Sequence, residues 1–200
     1  MGKTELINSL RKHGFPENIL GAFAKVQRED FVPERFRSMA YEDIALPLGS
    51  EQTISQPYTI AFMLSLLKLK DRQNVLEIGS GSGYVLALIS EIVKNGEIYG
   101  VERIRELAEK SERILKRRGY SDVTIFHGDG SKGLKEKAPF DRILVSASAK
   151  EIPSELVNQL KIGGILVAPV RDSIFQIKKR EDGEDVEEFQ GFVFVPLIEE

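Results

Sequence analysis

The chain has 200 residues, 42% of them hydrophobic and 30% charged, with a formal net charge of −3. That balance supports one domain with a real core and excludes a disordered chain. With no Cys, disulfide scaffolds, thiolate-held zinc and cysteine nucleophiles are excluded, and an acidic balance disfavours a non-specific nucleic-acid binder.

The N-terminal segment MGKTELINSLRK has no apolar signal core, and Leu6 breaks the myristoylation pattern. No apolar run approaches the ~20 residues of a membrane span. The expectation is a cytoplasmic chain without membrane or nucleic-acid partners, acting as a monomer.

Up to residue 72 the pattern reads as a helical extension, with helices over Thr4–Lys12, Pro16–Val26 and Pro57–Leu69 and loops between them. Val75–Ile78 is a short apolar run stopped by glycines and predicts a buried strand. Tyr84–Lys94 predicts a helix ending at Asn95-Gly96. Glu97–Val101 reads as a strand. Ile104–Arg118 carries apolar residues at helical spacing, a basic last turn and Gly119 as a stop. Val123–His127 and Arg142–Val145 are further strands. Pro153–Leu160 predicts a short helix, and Gly163-Gly164 a break before strand Ile165–Ala168. Strands alternating with helices imply crossover units and a parallel sheet. Beyond residue 170 two strands, Ile174–Lys179 and Phe189–Leu197, form an antiparallel hairpin. Its tip is Glu181–Glu188, where six of eight residues are acidic. The fold class is thus α/β: a doubly wound, mainly parallel, Rossmann-like sheet with an antiparallel C-terminal hairpin. It forms one domain, with an N-terminal extension over 1–72, a core over 73–170 and the hairpin over 171–200.

Glu77-Ile78-Gly79-Ser80-Gly81-Ser82-Gly83 runs from a strand into a helix. Glycines there admit positive φ and close approach to a ligand, and the helix N-terminus offers free N–H groups. Glu102 ends the next strand, where a carboxylate can accept bonds from both ribose hydroxyls. A dinucleotide fingerprint fails, because Tyr84 stands where it needs Gly or Ala. Glu77 reads equally as a cap for local N–H groups or as support for a cofactor. Asp129-Gly130 ends the third core strand on the same rim, as a ligand contact or a turn pair.

The pattern Glu-x-Gly-x-Gly-x-Gly resembles the first motif of class I S-adenosylmethionine methyltransferases. Ala40-Tyr41-Glu42-Asp43, Leu46-Pro47-Leu48-Gly49 and Gln52-Thr53-Ile54-Ser55-Gln56-Pro57 narrow the resemblance to the protein-L-isoaspartate (D-aspartate) O-methyltransferase family. Arg28-Glu29-Asp30-Phe31-Val32-Pro33 upstream is similar to that family's pattern. So are Ala138-Pro139-Phe140-Asp141 and Phe194-Val195-Pro196-Leu197 downstream. The resemblance implies methyl transfer from S-adenosyl-L-methionine to the free α-carboxylate of L-isoaspartyl residues in proteins and peptides. The ester then re-forms a succinimide and returns to aspartate. It implies a cofactor site of Glu77, Gly79, Ser80, Gly81, Gly83, Glu102, Arg103, Asp129 and Gly130, S-adenosyl-L-homocysteine as product, and no metal. It further implies substrate contacts from Thr53, Ile54 and Ser55, with Ser55 as the catalytic residue.

The chemistry suits the residues present. An α-carboxylate, with a pKa of about 3.3–3.7, is already ionised at pH 7, so no general base is needed. Donors must hold it without protonating it, and Ser55 can donate one bond. Local sequence alone reads Ser55 as the cap of the helix beginning at Pro57, with Thr53-x-x-Gln56 as a capping box. Three positions depart from the family pattern: Arg171 in place of a usual Gly, Ser146-Ala147-Ser148-Ala149 in place of a more Ala-rich stretch, and Tyr58 in place of a frequent His. The alternatives are a class I methyltransferase acting on RNA or a small molecule, and a non-catalytic adenosine-binding module.

Overall fold

The structure, a computed structural model, describes residues 1–194 and 197. Its frame is a seven-stranded sheet whose strands are β3 (Asn74–Ile78), β4 (Glu97–Glu102), β5 (Val123–His127), β6 (Phe140–Val145), β7 (Leu160–Val170), β8 (Ser173–Lys179) and β9 (Glu184–Gln190), in the spatial order β5-β4-β3-β6-β7-β8-β9. The first five are parallel neighbours, and β8 and β9 complete the sheet antiparallel. A separate two-stranded hairpin, β1 (Leu46–Gly49) and β2 (Gln52–Ile54), stands before the sheet.

Period-two alternation along β3 divides the core. Val75 faces one side of the sheet, and Leu76 and Ile78 face the other. The first side is thickly covered. Helix α3 (Pro57–Leu67) packs on β6 and β7, α4 (Tyr84–Ile92) on β4, and α5 (Arg105–Arg117) on β4 and β5. Helix α2 (Glu17–Lys25) stacks on α4, and α1 (Lys3–Lys12) on α2, as an outer layer burying Leu6, Leu10, Leu20 and Phe23. The second side carries the short α6 (Ser154–Asn158), with Leu156 and Val157 against Phe140 and Ile143. Only a short 3-10 turn, Lys135–Lys137, and no α-helix links β5 to β6, so this side is the thinner layer.

The central β3 sits where the chain turns from building toward β5 to building toward β7. Ligands of open parallel sheets bind at such switch points, beyond the carboxyl ends of the strands.

Three expectations change. The segment 46–54, read as loop, is the β1–β2 hairpin. Its strands are too short, and interrupted by Pro47, for a period to register. The pair Gly163-Gly164 does not break the chain before a strand but lies inside β7, where the register against β6 shifts. The acidic run is only in part the tip: 181–183 lie in the turn, and 184–188 are paired in β9. Charged residues suit an edge strand, which they protect from further pairing. Here they also sit opposite cations, Asp185 across from Lys178 and Glu184 from Lys179. The expected strand Phe189–Leu197 therefore ends at Gln190, and Val195 and Pro196 lie outside the described residues.

The turn from β7 to β8 places Arg171 at φ 57°, between the paired residues Val170 and Ser173. A side chain there strains a position that suits Gly. Arg171→Gly is expected to raise stability by about 0.5–1 kcal/mol, or roughly 1–4 °C of melting temperature. A lower melting temperature for the variant would show that the Arg171 side chain contributes more than its backbone costs.

Candidate functional site

Two clefts open at the carboxyl rim of the parallel strands. The first is built on the loop between β3 and α4. Gly79 N and Ser80 N donate to the Val101 carbonyl at 2.9 and 3.2 Å, and Gly83 N donates to the Ser80 carbonyl at 2.8 Å. These bonds fold the loop tightly enough that Gly79, Gly81 and Gly83 carry φ of 74°, 52° and 80°. Gly83, the N-cap of α4, is also a close approach. A Cβ there would meet Leu115 at 3.0 Å and Ser111 at 3.1 Å, so its constraint is packing against α5. Gly130, on the loop after β5, would place a Cβ 2.6 Å from Ile78.

Gly79, Gly81, Glu102, Arg103 and Gly130 line this cleft, with Gln52 and Thr53 across from them. Glu102 is buried, and each of its oxygens accepts one backbone bond, Oε2 from Gly81 N and Oε1 from Ile104 N, both at 2.8 Å. A carboxylate offers about four acceptor sites, so two remain. Glu102 therefore braces the glycine loop while keeping capacity for hydroxyl donors.

Glu77 and Ser80 lie beneath the cleft, 1% and 5% exposed. Glu77 does not cap backbone N–H groups. Its Oε1 instead accepts from the Ser146 hydroxyl at 2.6 Å. Its Oε2, and Ser80 Oγ, are buried without partners among the described residues. Burial pushes the Glu77 carboxyl up to about 8; the Ser146 bond works against that rise and the charge of Glu102 adds to it. Such orphaned buried groups make the cleft a candidate site for a polar ligand. Asp129 stands outside the lining. Its oxygens accept from Ser131 N and Ser131 Oγ, both at 2.8 Å, which is the turn reading of Asp-Gly. Gly130, and not the Asp129 side chain, faces the cleft.

The second cleft lies beside the first and has a volume of about 730 Å³. It is lined by Thr53, Ser55, Gln56, Tyr58, Thr59 and Ser146, with Phe192 and Phe194 from the segment after β9. Thr53 and Ser146 line both clefts. The Ile54 side chain, expected to touch substrate, lines neither cleft: it is 4% exposed within the core. Alternation along β2 turns Thr53 out and Ile54 in, where Ile54 pairs with Leu46.

Ser55 is not the cap of α3. The N-cap is Gln56, and no capping box forms. The first turn is held instead by Asp43, whose Oδ1 accepts from Tyr58 N at 2.8 Å. That leaves the Ser55 hydroxyl without a partner among the described residues and on the cleft wall. Its carbonyl is anchored by Arg28, which is fully buried. Arg28 Nη2 donates to Ser55 O at 2.9 Å and Ile44 O at 3.2 Å; its Nη1 donates to Ala40 O at 2.9 Å and Glu42 O at 3.3 Å. Both Asp43 and Arg28 were inside recognisable motifs, but their partners are distant in sequence and no local pattern reveals them. Tyr58 sits among rings, with His13 at 5.0 Å and Phe15 at 5.4 Å edge-on. Among the described residues no group of three or more His, Asp or Glu could hold a metal ion.

The family model described as protein-L-isoaspartate (D-aspartate) O-methyltransferase matches residues 1–200. A protein-L-isoaspartate O-methyltransferase of Ignicoccus hospitalis is 45% identical over 206 residues, covering 99% of this chain and 98% of that one. One of Methanothrix thermoacetophila is 46% identical over 202 residues, covering 99% and 95%. A solved protein-L-isoaspartate O-methyltransferase superposes with a TM-score of 0.92 at 31% identity, over 99% of this chain and 66% of that one. A Plasmodium falciparum structure, described as a putative protein-L-isoaspartate O-methyltransferase in complex with S-adenosyl-L-homocysteine, shares the fold at TM-score 0.87 and 24% identity.

Proposed function

The chain belongs to the protein-L-isoaspartate (D-aspartate) O-methyltransferase family, and from that premise we propose how its two clefts divide the reaction. The protein is a repair enzyme that uses S-adenosyl-L-methionine to methylate the free α-carboxylate of L-isoaspartyl residues. The ester re-forms a succinimide, which can open to normal aspartate.

The glycine-loop cleft is the cofactor side. Gly79 and Gly81 let the backbone approach an adenosine closely, Gly130 keeps its loop close against Ile78 on the cleft wall, and Glu102 has acceptor sites left for the ribose hydroxyls. Glu77 Oε2 and Ser80 Oγ are buried without partners among the described residues, which suits the charged methionine end. When bound there, the cofactor supplies an electrophilic methyl carbon. Arg103 lies on the rim, and Gly83 acts through its left-handed turn into α4 and its packing against α5. Asp129 shapes the loop that presents Gly130.

The neighbouring cleft is the peptide side. Ser55 donates its hydroxyl to the isoaspartyl carboxylate and holds it, still ionised, toward the shared wall. Thr53 offers a second polar contact. Thr59 and Gln56, at the start of α3, contribute to a helix N-terminus that favours the negative charge. The proximity of two held reactants lowers the barrier without any base. The observation that carries this division is the common wall: Thr53 and Ser146 belong to both clefts.

Among the described residues no helix is long and apolar enough to cross a membrane. We take the chain to act as a cytoplasmic monomer on isoaspartyl proteins and peptides, without nucleic acid; the net charge of −3 supports this.

The test uses two peptides differing only in L-isoaspartate against L-aspartate, each with methyl-labelled cofactor. Base-labile label on the isoaspartyl peptide alone is expected. Equal label on both, or on neither while cofactor binds, would overturn the substrate assignment.

A further inference from the structure

We propose that Ser146 is a positioning residue for the cofactor: its hydroxyl fixes the Glu77 carboxyl beneath the glycine loop, with one oxygen held and one left for the ligand. The proposal rests on the reading that Glu77 belongs to the cofactor site.

Ser146 follows directly on β6, and its N–H donates to the Ile78 carbonyl at 2.8 Å, locking the ends of β3 and β6 together. Its side chain reaches back to Glu77 Oε1 at 2.6 Å, the length of a hydroxyl-to-carboxylate bond. Glu77 accepts no other hydrogen bond among the described residues, and its Oε2 is buried and unpaired. A carboxyl with one oxygen tied has little rotational freedom, so Oε2 is presented in one place. Ala at residue 146 would preserve the backbone bond and the packing but free both oxygens. The family pattern, richer in Ala along this stretch, does not account for the hydroxyl.

The tie also acts on charge. A buried carboxyl binds a cationic ligand only when ionised, and the Ser146 bond favours the ionised form against burial and against the negative Glu102, which faces it from β4. Ser146→Ala lets the Glu77 carboxyl hold its proton to higher pH. The penalty is therefore full below pH 8 and shrinks as pH rises past it and the variant ionises too. The cofactor's own amine titrates in the same range, but it does so for both proteins and cancels in their ratio.

Calorimetric titration with S-adenosyl-L-homocysteine from pH 6 to 9.5 reads this without turnover. Ser146→Ala is expected to weaken binding about tenfold at pH 7, the effect of one lost bond to an ionised group, with the factor falling toward one at the alkaline end. Ser146→Thr, which keeps the hydroxyl, restores affinity to within about twofold. A factor that is constant across the range, or absent, overturns the proposal. Glu77→Gln separates the two readings. If Glu77→Gln weakens binding and Ser146→Ala does not, the role of Ser146 falls alone; if neither does, the place of Glu77 in the cofactor site falls with it.

Discussion

Ser55→Ala is expected to lower kcat/KM for an isoaspartyl peptide by about a hundredfold, leaving affinity for S-adenosyl-L-homocysteine within about twofold. The magnitude follows from what remains after the change. The nucleophile is ionised in either protein, so no proton-transfer step is lost. What is lost is a fixed donor, and with it the aim of the carboxylate; misplacing a reacting group by about 1 Å costs on the order of 10² in rate. The expected selectivity comes from geometry, because Ser55 lines the peptide cleft and not the glycine-loop cleft.

The same variant decides between the two roles local sequence allowed for Ser55. A lost helix cap would cost about 1 kcal/mol, or roughly 2–4 °C of melting temperature at this chain length. Since Gln56 is the N-cap and Asp43 bonds the first turn, Ser55→Ala should melt within about 1 °C of the parent. A clear drop in melting temperature with activity intact would reverse the assignment. Ser55→Thr, which retains a hydroxyl at the same place, should keep most of the activity.

The parallel core was legible because its strands are apolar runs ended by glycines, and its helices show long, clean periods such as Leu107, Ala108, Ile114 and Leu115 in α5. The cofactor loop was legible for a related reason: glycines at alternate positions between a strand and a helix have few purposes other than tight backbone geometry. What escaped was every feature set by a distant partner. The β1–β2 hairpin is two short strands whose register depends on each other. Ile54 looked like a substrate contact within its motif, and only the hairpin turns it inward. The residues of β9 read as a solvated tip, because nothing local tells an edge strand facing Lys178 and Lys179 from a charged loop. Glu77 reads locally as a cap or as support for a cofactor, and neither reading reveals the hydroxyl that holds it, which comes from residue 146.

Arg28 is the deepest instance of such a partner, and replacing it should give the largest loss of stability. Its guanidinium is fully buried and donates to four carbonyls, those of Ala40, Glu42, Ile44 and Ser55. It also lies 5.8 Å from the centre of the Tyr84 ring. Burial works against its charge, but a guanidinium does not give up its proton in a protein. Arg28→Met preserves much of the side-chain volume and strands four acceptors in the interior. Each buried group without a partner costs about 1–3 kcal/mol. Allowing for partial relaxation, a loss of about 3–5 kcal/mol is expected, or roughly 6–20 °C of melting temperature. The bonded carbonyls span residues 40 to 55, so the clamp holds the segment that carries Ser55 against the body of the protein. Arg28→Lys keeps the charge but has no planar fork to bridge the carbonyls. It should therefore stay folded at assay temperature yet lose more kcat/KM for peptide than affinity for cofactor. If Arg28→Met melts within about 2 °C of the parent, the clamp contributes nothing to stability. If Arg28→Lys weakens peptide turnover and cofactor binding equally, the clamp acts on the whole fold and not on the placement of Ser55.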